Sequence, residues 1–208
     1  MKVLIVDDHA IVRQGLKQIL LESGKVTLIG EAANGAEAMR AMREHEWSAV
    51  VLDISLPDRN GIEVLKQIRK EQPRIPVLML SMHEVGLYAI RALKAGASGY
   101  LTKQSAPGEL MAAIEQVGRG RKYLTATMAE ALAESFGADT ERPPHEMLSD
   151  REYQTLRLIA SGKSLTDAAE EMCLSVKTVS VYRGRLLEKM RLKNNAELTH
   201  YAIRNGLV

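Results

Sequence analysis

The sequence predicts an α/β domain with a doubly wound, five-stranded parallel sheet, followed by a second, smaller all-α domain. Short apolar runs alternate five times with segments of helical periodicity between residues 2 and about 118. The runs are apolar almost throughout, as expected for parallel strands that are buried on both faces. Strand signals disappear after Met147, and this change predicts the all-α domain.

Each strand–helix repeat carries its own signals. The predicted strands are Lys2–Val6, Val26–Gly30, Ala49–Leu52, Val77–Leu80 and Ser98–Thr102. Ile11, Leu16 and Leu20 fall on one face of a first helix. The later helices are predicted at Ala36–His45, from Ile62 to Ile68, at Leu87–Lys94 and at Gly108–Val117. Glycines follow the last two, which is a common way for a helix to end.

A linker is predicted between the two domains, over residues 122–143. It contains a short helix, Ala126–Phe136, for which Thr125 is the expected cap. The polar, proline-rich segment Gly137–Pro144 is expected to be flexible up to its stiff Pro-Pro end. The first domain should therefore span residues 1–121 and the second residues 144–208.

Four helices are predicted in the second domain. Ser149 to Glu152 has the spacing of a capping box and begins the first of them. The others are Leu165–Met172, Val176–Met190 with Ser175 as its cap, and Glu197–Arg204. The packed face of the long helix is expected to consist of Val176, Val179, Leu186, Leu187 and Met190. Its outward face is expected to consist of Lys177, Thr178, Ser180, Val181, Arg183, Gly184 and Arg185. A helix, a short turn and a long helix are typical of a helix-turn-helix, although other four-helix units share this spacing.

Composition indicates a globular cytoplasmic protein. The net charge of +2 over 208 residues gives no general argument for nucleic acid, but Ser175–Lys193 holds six basic side chains and one acid. Such a stripe fits phosphate contacts as well as a solvated helix face. The single cysteine, Cys173, excludes a disulfide within the chain and is expected to be buried. No apolar run is long enough to span a membrane, and no membrane partner is expected.

Polar residues stand at the ends of four predicted strands. Asp7 and Asp8 follow the first, Asp53 ends the third, and Ser81 and Lys103 end the fourth and fifth. Because ligands of open α/β sheets bind outside the carboxyl ends of the strands, these side chains should converge on one pocket. Three carboxylates need a cation, and oxygen ligands of this kind suit Mg²⁺.

The same residues suit phosphoryl transfer. Asp53 is the central acid and the expected nucleophile, because a carboxylate can form an acyl phosphate. Lys103 can pair with Asp53 and hold a phosphoryl oxygen, while Ser81 supplies a hydroxyl. His9 and His83 can approach the rim of the pocket, and we interpret them as rim or helix-entry residues rather than catalytic bases.

Residues 1–121 resemble the receiver domain, a flavodoxin-like fold, of bacterial two-component response regulators. The resemblance is carried by four segments: Val6-Asp7-Asp8, Leu52 to Gly61, Ser81-Met82-His83 and Gly96 to Lys103. It implies phosphorylation of Asp53 by a histidine kinase. It also implies Mg²⁺ bound by Asp8, Asp53 and the Ser55 backbone carbonyl, with Asp7 in support. Ser81 and Tyr100 would couple phosphorylation to a surface change in which Tyr100 turns inward. Met82 is larger than the residue that receivers often carry there.

Residues 147–208 resemble the DNA-binding domain of NarL/FixJ (LuxR-type) regulators, from Leu148 to Met190 in particular. The resemblance implies base contacts from Ser180, Val181 and Gly184. It places Lys177, Thr178 and Arg183 at the backbone or at nearby bases. Family members often carry lysine where Ser180 and Gly184 stand, so affinity is expected to depend more on Arg183, Arg185 and Lys189. Glu197–Arg204 resembles the dimerisation helix.

The combined interpretation is a phosphorylation-controlled transcriptional regulator. It would bind double-stranded promoter DNA as a homodimer, act on RNA polymerase, and not be an enzyme beyond Mg²⁺-dependent phosphorylation and dephosphorylation of itself. Two alternatives remain open. A hydrolase of the haloacid dehalogenase type needs a second acid where Ser55 stands. A phosphorelay receiver with a non-DNA interaction module is disfavoured by the basic run from Arg183 to Lys193.

Overall fold

The structure is a computed structural model that describes residues 1–82, 86–137 and 143–208. It divides the chain into two compact units, Met1–Phe136 and Gly137–Val208. None of the helices within these described ranges is long and apolar enough to cross a membrane.

The first unit contains a parallel sheet of five strands: β1 (Lys2–Val6), β2 (Leu28–Ala32), β3 (Ala49–Asp53), β4 (Val77–Ser81) and β5 (Gly99–Thr102). Their spatial order is β2-β1-β3-β4-β5. Every residue of β3 and β4 is buried, which explains why these strands read as continuous apolar runs. The predicted fold class is therefore confirmed.

The second strand was predicted two residues too early, at Val26–Gly30. The sheet register pairs Lys2 with Leu28, so pairing begins only there. Before it, the Thr27 N–H donates to the Met1 carbonyl, and Val26 packs against the core from outside the strand. Hydrophobicity alone does not separate a residue that packs beside a strand end from one inside the strand.

Helices cover both faces of the sheet, namely α1 (Ala10–Glu22), α2 (Gly35–Glu44), α3 (Gly61–Glu71), α4 (Leu87–Lys94) and α5 (Ala106–Gly118). Helices α1 and α5 pack together over one core, which includes Leu16, Leu20 and Leu110. Ile11 was wrongly assigned to that buried face, because it is 82% exposed. Helix α5 begins two residues earlier than predicted, with a proline in its first turn.

Residues after α5 remain attached to the sheet. Tyr123 forms a parallel bridge with Gly99 of β5, and the Tyr123 hydroxyl donates to Glu109 at 2.8 Å. Helix α6 (Ala126–Gly137) follows, with the Thr125 Oγ1 accepting from the Met128 N–H at 3.3 Å. As far as Phe136, this helix belongs to the same compact unit as the sheet. Most of the segment predicted to be flexible, 138–142, lies outside the described residues.

Among its described residues, the second unit holds a 3₁₀ turn (Pro144–Met147) and four α-helices: α7 (Asp150–Ala160), α8 (Leu165–Glu171), α9 (Val176–Met190) and α10 (Asn195–Arg204). The capping box at Ser149 and Glu152 is present as predicted. Ser175 caps α9 by accepting from the Thr178 N–H at 3.1 Å. Helices α8 and α9 share a small core that contains Ala168, Ala169 and Val179.

Candidate phosphoacceptor centre and nucleic-acid interface

Parallel strand ends bring the three predicted acids together. Asp7 follows β1 and Asp53 ends β3, and both side chains are buried, whereas Asp8 is exposed. Ligand atoms from Asp7, Asp8 and Asp53, together with one from His9, lie within 4.8 Å of one another. The residues come from positions that are 46 apart in the sequence (53 minus 7), and only the sheet places them at one point.

Lys103 closes the buried side of this cluster. Its Nζ lies 2.8 Å from Asp53 Oδ2 and 2.8 Å from Asp7 Oδ2, and only 8% of the side chain is exposed. The position is fixed by the backbone, because the Lys103 N–H donates to the Ser81 carbonyl at 2.7 Å. One ammonium therefore bridges the two buried carboxylates.

The electrostatics of the cluster leave an excess of negative charge. Burial and the charge of Asp7 raise the pKa of Asp53 to about 6, against the lowering effect of Lys103 and of the Ser55 backbone N–H. Burial alone would lower the pKa of Lys103, but the charges of Asp53 and Asp7 outweigh it and raise that pKa. At neutral pH Asp53 is therefore mostly ionised, and it faces both the charge of Asp7 and the Lys103 ammonium.

This excess charge is what a metal ion would relieve. The carboxylates of Asp7, Asp8 and Asp53 can hold a cation because their ligand atoms are close enough to share one ion. Carboxylate oxygens are ligands for hard divalent cations. A bound cation would offset the repulsion between Asp7 and Asp53 that contributes to the raised pKa of Asp53.

Gly61 packs closely against the backbone of Asp53. The Gly61 N–H donates to the Ile54 carbonyl at 2.7 Å, and Asn60 accepts from the Ile62 N–H at 2.9 Å to cap α3. A Cβ at position 61 would stand 2.0 Å from the Asp53 carbonyl oxygen. Only glycine fits there, so the turn before α3 and the position of Asp53 depend on the same residue.

The remaining predicted residues lie around the cluster. Ser81 is buried at the end of β4, and Ser55 is exposed in the loop after β3, where its backbone N–H contributes to lowering the pKa of Asp53. The role of the Ser55 carbonyl stays a prediction. Met82 is 76% exposed beside the site. His83 lies outside the described residues.

Tyr100, the predicted switch residue, belongs to the core of the first unit. Its side chain is already fully buried, with 0% of its surface exposed. Tyr100 sits on β5 opposite Met79 of β4, and the residue packs as part of the core. Its part in coupling phosphorylation of Asp53 to a surface change stays a prediction.

The raised pKa of Asp53 predicts a stability effect with a defined sign. A carboxyl group that ionises less readily in the fold than in the unfolded chain destabilises the fold above its folded pKa. Asp53→Asn should therefore stabilise the metal-free protein at pH 7.5 by about 1 to 3 kcal/mol. The advantage should shrink as the pH falls through about 6 toward 4, the window set by the raised pKa. Urea unfolding of both proteins at several pH values measures it, and a pH-independent difference would contradict it.

The second unit presents a basic helix behind a short turn. On α9 the side chains of Lys177, Ser180, Val181 and Arg185 are exposed, and Gly184 is exposed as well. Thr178 and Arg183 are half-buried. This agrees with the predicted outward face, except that Val176, which was assigned to the packed face, is 42% exposed. Tyr182 packs on the core in its place and was not predicted to do so.

The four cations of this helix differ in their contacts. Lys177 and Arg185 have no hydrogen-bond or ion-pair partner in the described part of the chain. Arg183 Nε donates to Asn195 Oδ1 at 2.6 Å. Lys189 Nζ donates to the buried Glu152 at 2.6 Å. Lys189 thus ties α9 to the capping box of α7, and a phosphate contact from it would compete with this pair.

Cys173 departs from its predicted buried position. It is exposed, and it adopts the left-handed conformation with φ of 50° in the turn between α8 and α9. Its N–H donates to the Glu170 carbonyl at the end of α8. The chain must reverse at this point, and the conformation that allows the turn directs the short side chain outward.

Helix α10 has two different faces. Leu198 and Ala202 are buried against the unit, whereas Ile203 is 64% exposed. An exposed apolar residue on a helix that resembles a dimerisation helix agrees with that prediction without testing it.

Sequence reasoning missed three contributions to these sites. His9 lies inside the metal-ligand cluster, Gly61 packs on Asp53, and Glu152 anchors Lys189. The Asp-Asp-His triplet places His9 directly after two predicted metal ligands, so its membership in the cluster could have been predicted from the sequence. The Asn-Gly pair before α3 marked a turn but not what packed on it. Nothing in the sequence spacing linked residues 152 and 189, because that contact depends on how α7 and α9 pack.

Comparison with known proteins matches both units. The family model "Response regulator receiver domain" matches residues 3–115, and "Bacterial regulatory proteins, luxR family" matches residues 146–202. The response regulator UvrY of Escherichia coli K12 is 35% identical over 206 residues, which cover 99% of this chain and 94% of UvrY.

Solved structures give the same assignment. The response regulator RcsB of Salmonella typhimurium, solved in a study of conformational dynamism for DNA interaction, is 26% identical with a TM-score of 0.60 and 97% coverage of both chains. A structure of two RcsB dimers bound to two parallel DNAs is 26% identical with a TM-score of 0.57, covering 97% of this chain and 96% of that one. The chain therefore belongs to the response regulators that join a receiver domain to a LuxR-type DNA-binding domain.

Proposed function

We propose that a histidine kinase phosphorylates Asp53 with Mg²⁺ as the cofactor, and that the phosphorylated chain binds double-stranded promoter DNA as a homodimer and acts on RNA polymerase. The observation that carries the proposal is the buried contact of Lys103 with both Asp53 and Asp7 beside an exposed Asp8. It combines a nucleophile, a cation for phosphoryl oxygens and a metal site in one place.

The chemistry assigns a task to each residue. One Asp53 carboxylate oxygen attacks the phosphorus of the phosphodonor, and the bond from phosphorus to the donor's histidine nitrogen breaks. Lys103 holds a phosphoryl oxygen as a point charge, and Ser81 offers its hydroxyl. Asp8, Asp53 and the Ser55 carbonyl would hold Mg²⁺, with Asp7 in support, and the ion would neutralise charge on the transferred group. In this proposal the chain is not an enzyme, because the phosphoryl group enters and leaves its own Asp53.

The DNA part of the proposal rests on α9. Lys177 and Arg185 are unpaired within the described residues and suit phosphates, and Ser180, Val181 and Gly184 share the same outward helix surface. The RcsB structure supports a dimeric complex, because that relative is described as dimers bound to DNA. Such a regulator would act in the cytoplasm, where a bacterial chromosome lies.

Two assays with the full chain test the proposal. Incubation with labelled acetyl phosphate should give a Mg²⁺-dependent, base-labile acyl phosphate. Selection of fragments from sheared genomic DNA should enrich a common site in the phosphorylated sample. If labelling succeeds but no fragment is enriched, the alternative receiver with a non-DNA partner is favoured instead.

Gly184 provides a test of the DNA-facing surface that separates stability from binding. It lies inside α9, and a Cβ built on it meets no atom within 4 Å. An exposed glycine inside a helix costs about 1 kcal/mol relative to alanine, and no packing contact in the structure requires it. Gly184→Ala should therefore raise stability by roughly 0.5–1 kcal/mol and weaken DNA binding, because the DNA approaches the backbone there.

Gly15 supplies a matched control for this prediction. It is an exposed glycine inside α1, and its Cβ would also meet no atom within 4 Å. Gly15→Ala should give a similar gain in stability with unchanged DNA affinity. Thermal unfolding and fluorescence anisotropy on a selected site measure both quantities. Equal DNA affinity of the two variants would exclude close approach at Gly184.

A further inference from the structure

His9 is fixed at the entrance of the acidic cluster by its backbone. It is the residue that precedes α1, where it adopts an extended conformation, and its N–H donates to Asp7 Oδ1 at 2.8 Å. Its side chain makes no capping hydrogen bond to the helix. The imidazole is therefore not needed to begin α1, and its orientation needs another explanation.

The ring is directed toward carboxylates. Nδ1 lies 2.7 Å from Asp8 Oδ1 and 3.2 Å from Asp7 Oδ1, and 60% of the side chain is exposed. The cluster whose ligand atoms lie within 4.8 Å of one another includes His9 together with Asp7, Asp8 and Asp53. Ligand atoms at opposite sides of one divalent ion are separated by about 4 to 5 Å, so a single ion can be reached by all four groups.

From this arrangement we infer that His9 supplies a nitrogen ligand to the metal site, so that the site binds Mn²⁺ in preference to Mg²⁺. The inference rests on the metal site in the proposed function. Oxygen ligands suit Mg²⁺, whereas an imidazole adds affinity for transition-metal ions. The more exposed Asp8 and His9 form the outer side of the site, while Lys103 occupies the inner side between Asp7 and Asp53.

The inference also states what His9 does not do. It is not required as a base, since Asp53 attacks as a carboxylate and has no proton to give up. Its place is beside Asp8, at the outer edge of the cluster. Removal of the imidazole should therefore have a large effect on the preference of the site for Mn²⁺ over Mg²⁺. Its effect on the phosphorylation of Asp53 should be smaller.

The test uses the full chain with Mn²⁺ alone as the probe. Electron spin echo envelope modulation of bound Mn²⁺ should show coupling to an imidazole ¹⁴N in the wild type. His9→Phe keeps a ring of similar size without a ligand atom and should remove that coupling. It should also weaken Mn²⁺ binding by about tenfold or more, since even the loss of an outer-shell partner has an effect of this size. The affinity for Mg²⁺, measured by competition, should change by less than about twofold, a difference of under roughly 0.4 kcal/mol.

His200→Phe is the control, because His200 is an exposed histidine on α10. It should leave the ¹⁴N coupling and both affinities unchanged. Equal thermal midpoints for the variants and the wild type in the absence of metal show that folding is preserved. If Mn²⁺ binds to the wild type without nitrogen coupling, or if the coupling persists in His9→Phe, His9 is not a ligand. Either result leaves the proposed metal site itself intact. Absence of any bound Mn²⁺ overturns this inference and the proposed metal site together.

Discussion

Asp53→Asn is expected to abolish phosphorylation by acetyl phosphate and by any histidine kinase. The variant keeps the shape of the side chain but loses the nucleophilic oxygen, and an amide is also a poorer ligand for a hard cation. Asp53 is one of the two buried acids that Lys103 contacts, and its backbone packs against Gly61. Incorporation of labelled phosphate should fall to the background of the denatured protein.

Glu63→Gln serves as the control for that result. Glu63 is an exposed acid in the first turn of α3, the helix that follows the Asp53 loop. Glu63→Gln removes one carboxylate near the site, and this variant should incorporate as much labelled phosphate as the wild type. Labelling of Asp53→Asn at the wild-type level would show that another residue is the phosphoacceptor.

Loss of the two unpaired cations of α9 is expected to produce the second large effect. Lys177 and Arg185 are exposed and have no ion-pair partner among the described residues. Each phosphate contact contributes a slope of about −0.9 to the dependence of log K on log salt. A dimer that loses Lys177 and Arg185 from both protomers should lose about three to four units of that slope and bind about a hundredfold more weakly at 50 mM than the wild type.

A double variant of the first unit controls for net charge. Lys70→Ala with Arg74→Ala removes two exposed cations from the region of α3. Anisotropy titrations between 50 and 200 mM salt should show a wild-type slope for this protein. If the two double variants lose affinity equally, the basic face of α9 is not the phosphate contact.

Much of the receiver fold follows from local patterns. Strands that are buried on both faces leave long apolar runs, and the strand-end acids stand directly after them, so the acidic centre could be predicted from the amino-acid sequence alone. Lys103 could be placed for the same reason. The contacts that could not be predicted depend on packing between different elements. Examples are the ion pair of Lys189 with Glu152 and the packing of Gly61 against the Asp53 backbone.

The wrong predictions share a physical cause. Three apolar residues were predicted to be buried because they lie in or beside segments with helical periodicity, namely Ile11, Val176 and Cys173. All three lie at or next to a helix end, where the chain enters or leaves the regular element, and they are exposed. Periodicity describes the middle of a helix better than its first and last turns.

The most direct test of the central claim is the affinity of the full chain for a selected promoter fragment before and after phosphorylation. The claim is that the state of Asp53 in the first unit controls DNA binding by the second. Anisotropy titrations at one fixed salt concentration, with and without acetyl phosphate and Mg²⁺, measure it, with Asp53→Asn treated in parallel. The account predicts that phosphorylation lowers the Kd of the wild type by at least about tenfold, a coupling of roughly 1.4 kcal/mol, and leaves that of Asp53→Asn unchanged. An equal Kd for the phosphorylated and unphosphorylated wild type would contradict it.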